Sequence, residues 1–219
     1  MGAISAAGAT IIETLDSFDR GTRNAGLVTL FHTALTYPVF EVKSVPSHFE
    51  LEGQRTLGLA LVAVDQELTD AGLSDLSGYR VGVCMGTTVA SQLNDLQFYT
   101  SYRERGSASM TSVDRFLKGN LAEAIARKTE ARGPQLTIVN ACSSGTDAIG
   151  AALSWLKSDL CDIVIAGGAD ELNHVPYCGF GSLGILNPGL CSPFDRDRKG
   201  LNLGEGAGVV VLEKLSCAV

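Results

Sequence analysis

The sequence predicts an α/β fold, and two observations carry that prediction. Short β-branched apolar runs recur along the chain, and helical apolar patterns lie between them. Each strand candidate is almost continuously hydrophobic, the pattern of strands covered on both faces in parallel or mixed sheets.

The elements follow in chain order. Residues 54-QRTLGLALVAVDQELTDA-71 place apolar side chains at helical spacing and stop at Gly72. The first clear strand candidate is 80-RVGVC-84. A second helical pattern covers 112–131, with Thr111 and Asp114 as a capping box and 133-GP-134 as its stop. The run 136-LTIVNA-141 reads as a strand that leads directly into a helix over 143–156. Strands 162-DIVIA-166 and 207-AGVVVL-212 complete the set. Residues 170–206 break the rhythm with glycines, prolines and few periodic apolar positions. A long irregular segment inside a compact domain is most often site-forming. No repeat, low-complexity tract or linker divides the chain, so residues 1–219 read as one unit.

Composition narrows the class. The chain has 219 residues, 45% of them hydrophobic, enough for a substantial core. Its net charge of −7 argues against a nucleic-acid binder. No window approaches the roughly 18 apolar residues of a membrane span, and the N-terminus lacks a secretory pattern, so a cytoplasmic protein is expected. The six cysteines are scattered without a C-x-x-C pair, which fits neither a zinc site nor a small disulfide scaffold.

Cys142 is the chemically suggestive residue. A cysteine where a buried strand turns into a helix meets unpaired N–H groups and the positive end of the helix dipole, which stabilise a thiolate. The same amides can donate to an oxyanion when that thiolate attacks a thioester carbonyl. Ala141, Ser143, Ser144 and Gly145 keep the turn tight. Buried free thiols are common, however, and local physics leaves both a packed core thiol and a nucleophile open.

The run 140-NACSSGTDAIGAA-152, then 162-DIVIAGGADELN-173, 179-GFGSLGIL-186 and 193-PFDRDRKGLNLGEGAGVVVLEKL-215, closely resembles the β-ketoacyl synthases of fatty-acid and polyketide synthesis. The segments 82-GVCMGTTVASQ-92, 133-GPQLTIVNA-141 and 2-GAISAAGATIIETLDSF-18 resemble them more loosely. The resemblance covers nearly the whole chain but only the N-terminal half of a family member. It implies a thiolase-like fold of two similar α/β halves, with a mixed, mostly parallel sheet flanked by helices. It also implies that Cys142 attacks an acyl thioester carried by acyl carrier protein or coenzyme A. A malonyl thioester then loses carbon dioxide, and its carbanion attacks the acyl-enzyme in a Claisen condensation. By the same resemblance Phe180 stands at the mouth of the acyl pocket, Val89 lines it, and Gly204–Gly208 are structural. The resemblance implies no cofactor and no metal.

Three departures from the family pattern set further expectations. The family's catalytic histidines belong to its C-terminal half, and His32, His48 and His174 match none of them. A C-terminal ketosynthase half or a full synthase subunit is therefore the expected partner, in a homo- or hetero-oligomer. The family's first strand, leading into the glycine that matches Gly2, is expected to be absent. The basic carrier-docking patch is reduced to Arg55 near its matching helix, with Arg103, Arg105, Arg115, Lys118, Arg127, Lys128 and Arg132 elsewhere. The alternative role is a non-catalytic chain-length or interaction subunit of a ketosynthase heteromer. Another thiolase-fold enzyme acting on coenzyme A thioesters ranks below it.

Overall fold

The computed structural model describes residues 1–88, 93–118 and 120–217. Strand β1 (Gly2–Ser5) is followed by helix α1 (Ile11–Asp19) and, after a long extended connection, by helix α2 (Arg55–Asp70). Next come β2 (Val81–Gly86), α3 (Leu93–Arg105), α4 (Thr111–Lys118) and α5 (Leu121–Thr129). The second half runs β3 (Gln135–Ile138), α6 (Ser144–Lys157), β4 (Ile163–Asp170), α7 (His174–Ser182) and β5 (Gly206–Glu213).

The five strands form one mixed sheet in the order β1-β5-β4-β2-β3. β2 pairs in parallel with both β3 and β4, whereas β5 is antiparallel to both β4 and β1. Four strands thus share one direction and β5 opposes them. Side chains alternate across the sheet with period two. Val81, Val83, Met85, Ile163 and Ile165 face a large core shared with α2 and α5, while Cys84, Val164 and Ala166 face α6. The result is a three-layer α/β/α unit.

α2 is buried on most of its surface, and β1 lies directly on it. A Cβ at Gly2 would sit 1.8 Å from the Ala63 carbonyl oxygen. The helix ends where Gly72 adopts φ +67° and Leu73 N–H reaches back to Leu68 O at 2.9 Å, the chirality reversal expected of a glycine stop. On the other face, Ala148 and Ala152 let α6 approach the sheet closely, and Trp155 packs over Gly82.

Four expectations are corrected. A strand does form at this end, starting at Gly2 and not leading into it: 2-GAIS-5 pairs with residues 206–209 of β5 at the sheet edge, sheltered by α2. The helical pattern over 112–131 is two helices, because Asn120 takes an extended conformation and its side chain pairs with Thr137. Residues 170–206 contain α7, capped by the Asn173 side chain, which accepts from Val175 N–H at 2.9 Å. Finally, β3 is not covered on both faces: it is the edge strand, and Leu136 is 42% exposed. Among the described residues no helix is long and apolar enough to cross a membrane.

Candidate active site

The strand expected over 136–141 stops at Ile138, and the chain turns sharply before α6. Ala141 adopts φ +64°, a left-handed conformation that costs a residue with a Cβ about 1–2 kcal/mol. A 3₁₀ turn over Ala141–Ser143 then runs straight into α6, placing Cys142 at the apex of the elbow. Two polar ties offset the strain. Ser144 Oγ donates to the Ala141 carbonyl at 2.7 Å. Asp147, one turn into α6, accepts from Ser143 Oγ at 3.0 Å and from Asn140 Nδ2. Its carboxylate therefore grips the chain on both sides of Cys142.

Glycines bring the neighbouring strand ends up to this elbow. A Cβ at Gly86, the last residue of β2, would lie 2.3 Å from Ser144 C and 2.4 Å from Gly145 N. Gly168 in β4 also faces Gly145, less tightly, its Cβ position being 3.3 Å from Gly145 Cα. Beyond the strand ends, Asp170 Oδ1 accepts from Thr87 Oγ1 at 2.9 Å and from Thr88 N–H at 2.7 Å. Thr87 N–H in turn donates to Ile138 O at 3.0 Å, so the ends of β2, β3 and β4 are locked together. Between them opens a cleft of about 280 Å³ bounded by Cys142, Gly145, Gly168, Asp170 and Gly206–Gly208.

Exposure separates the thiols. Cys142 is exposed, Cys84 and Cys161 are buried, and Cys178, Cys191 and Cys217 are intermediate. Burial pushes the Cys84 thiol up to about 11 and raises that of Cys161, so neither is a nucleophile at neutral pH.

The other sequence-based site residues fare differently. Phe180 lies in α7, not in a loop, and packs with Leu35, Tyr177 and Leu186 in a separate cluster. It does not line the Cys142 cleft. Val89 lies outside the described residues. His174 approaches Cys178, His48 packs on Phe49, and none of the three histidines borders the cleft. Within Gly204–Gly208, expected to be structural, close packing is found at Gly204 and Gly206, where a Cβ would meet Phe40 Cβ at 3.1 Å and Ile4 O at 2.6 Å. A Cβ at Gly208 would meet nothing within 4 Å.

Sequence reasoning missed Asp147, Asp170 and Glu205. Asp147 was signalled by an acidic residue four positions after Ser143, on the same helical face. Glu205 is the most fully engaged. Its buried carboxylate accepts from Val42 N–H at 2.9 Å, from Leu172 N–H at 3.0 Å, and from Arg55 at 2.6 and 2.9 Å. This pairing raises the Arg55 pKa above its usual value and turns the residue inward. Arg55, expected as the remnant of a docking patch, is instead committed to the fold. Of the other basic candidates, Arg115, Lys118 and Arg127 pair with Glu52, Asp114 and Glu123.

Comparison with known proteins agrees with this architecture. The family profile described as beta-ketoacyl synthase, N-terminal domain, matches residues 52–218. The 3-oxoacyl-[acyl-carrier-protein] synthase 2 of Rhizobium meliloti is 32% identical over 174 residues, covering 73% of this chain and 41% of that protein. The tetracenomycin polyketide synthase ketoacyl synthase alpha subunit of Streptomyces glaucescens is 30% identical over 181 residues, covering 75% and 42%. Among solved structures, the ishigamide ketosynthase/chain length factor superposes with a TM-score of 0.91 at 28% identity, covering 99% of this chain and 57% of that one. The chain thus spans about half the length of the relatives it matches. With the sheet order, the strained elbow and these matches in agreement, the chain belongs to the β-ketoacyl synthase family and corresponds to its N-terminal domain.

Proposed function

We propose that this chain supplies the nucleophile of a decarboxylative Claisen condensation, with Cys142 as the acyl-accepting thiol. The observation that carries the reading is the exposed cysteine at the apex of a strained, glycine-walled elbow. Its thiolate attacks the carbonyl carbon of an acyl thioester, and the tetrahedral intermediate collapses with release of the carrier thiol. A malonyl thioester then loses carbon dioxide. Its carbanion attacks the acyl-enzyme carbonyl, and Cys142 leaves as thiolate from the β-ketoacyl product. The helix α6 amides lie close enough in sequence to Cys142 to serve the developing oxyanion.

Among the described residues the cleft is lined by no histidine, lysine or arginine, and the groups that stabilise the carbanion are proposed to come from a C-terminal ketosynthase half or a full synthase subunit. Acyl carrier protein is the proposed carrier, and residues 170–206 form the wall that faces the incoming acyl chain. Phe180, which lies outside the cleft, is proposed to reach that chain only in the completed assembly, and Val89 is proposed to line the acyl pocket. Iodoacetamide labelling with peptide mapping tests the assignment. Cys142 is expected to be alkylated well before Cys217. If Cys142 stays unmodified under conditions that label Cys217, it is not the nucleophile.

A further inference from the structure

A second cysteine is paired with a base, away from the elbow. On α7, His174 and Cys178 are four residues apart and share one helical face, with Sγ 3.4 Å from Nε2. Phe31 packs edge-on against the His174 ring at 5.3 Å and 89°, which fixes the ring plane. Tyr177 is buried beside them, and its hydroxyl donates to Tyr37 O at 2.9 Å, anchoring the helix. A thiol, a base within hydrogen-bond reach and a group that orients the base make an activated nucleophile.

We infer that Cys178 is a second reactive thiol, open to oxidation by small hydroperoxides with His174 as the proton acceptor. Partial burial admits a small oxidant and hinders a bulky thioester. The thiol proton passes to Nε2, and the sulfur lone pair attacks one peroxide oxygen. The O–O bond breaks, and the departing hydroxide takes the proton back from the imidazolium as water. Sulfur is oxidised by two electrons to a sulfenic acid and the peroxide is reduced to water, which balances the step. The inference is independent of the role of Cys142, which no part of it uses.

Hydrogen peroxide treatment in the presence of dimedone, followed by peptide mapping, tests it in the Cys142→Ala chain. Cys217 is the internal control, being of similar exposure without an imidazole neighbour. Cys191 is unsuitable because Arg23 Nη2 lies 3.6 Å from its sulfur. The expected result is dimedone adduct at Cys178 at least about tenfold faster than at Cys217. In His174→Gln, and in His174→Ala, that excess should vanish while Cys217 is unchanged. The glutamine variant keeps a polar group at the helix start, and unchanged thermal melting shows that the fold persists. Equal rates at Cys178 and Cys217, or a Cys178 rate unaffected in folded His174→Gln, would overturn the inference.

Discussion

Asp147 accepts a hydrogen bond from Ser143 Oγ at 3.0 Å, and the same oxygen holds the Asn140 side chain. Cys142 lies between those two donors, on a backbone whose preceding residue is left-handed. The carboxylate therefore sets where the thiol points without touching a substrate. Hydrogen bonds to a charged group are worth about 1.5–3 kcal/mol. Asp147→Ala is expected to slow acyl transfer to Cys142 by roughly tenfold, which corresponds to about 1.4 kcal/mol. Asp147→Asn should recover most of the rate, since an amide oxygen still accepts from Ser143. If alanine and asparagine behave alike, the carboxylate does not position the elbow.

Two glycines at the site make opposite predictions. Alanine at Gly86 would drive its methyl group into the Ser144–Gly145 backbone, which cannot move aside as a side chain could. A loss of about 1–3 kcal/mol is expected, together with disturbed labelling of Cys142. Alanine at Gly145 meets nothing nearer than 3.9 Å, so the fold should tolerate it while the cleft narrows. Thermal melts paired with acylation rates separate these outcomes.

Glu205 illustrates a buried charge that must stay paired. Glu205→Gln would leave the half-buried Arg55 cation without its bidentate partner. Breaking such a pair costs about 3–5 kcal/mol, or a fall of roughly 6–20 °C in melting temperature at this chain length. A calorimetric melt within about 2 °C of the parent would contradict that role.

At the opposite end of the sheet, Arg80 donates to both Asp162 oxygens and to Asp159, and Lys214 joins them. The Arg80 guanidinium holds Asp162 below the usual carboxylate range, and Lys214 followed by Arg80 does the same for Asp159. Because folding lowers these pKa values, the stabilisation is present above the ordinary carboxylate pKa and disappears as pH falls through the folded values. Arg80→Ala should therefore melt earlier than the parent at pH 7. The gap should begin to narrow as pH falls below about 4 and shrink progressively with further acidification. A gap as wide at pH 2 as at pH 7 would show that Arg80 acts through packing alone.

Much of this architecture was legible in sequence because its central strands are buried on both sides. The runs at 80–84 and 162–166 carry enough β-branched surface to declare themselves, and they form the middle of the sheet. β1 was not legible. 2-GAIS-5 has one large apolar residue, Ile4, and becomes a strand through pairing with β5 over α2. α7 was hidden for a similar reason. 174-HVPYCGFGS-182 contains a proline and two glycines, and burial of Tyr177 with the Asn173 cap overrides their poor propensity. At the site, the strand-to-helix turn at Cys142 was readable, while its local sequence left a packed core thiol and a nucleophile both open; exposure in the structure removes the first. The Asp147 tie and the Glu205 pairing were not, because they depend on side chains meeting in three dimensions.

The central claim is that Cys142 accepts an acyl group. The most direct measurement incubates the chain, alone and with a C-terminal ketosynthase half, with an acyl thioester and maps the adduct by peptide mass spectrometry. The account predicts a thioester on Cys142 that disappears in Cys142→Ala. Acylation that persists in that variant, or an adduct confined to another cysteine, would contradict it.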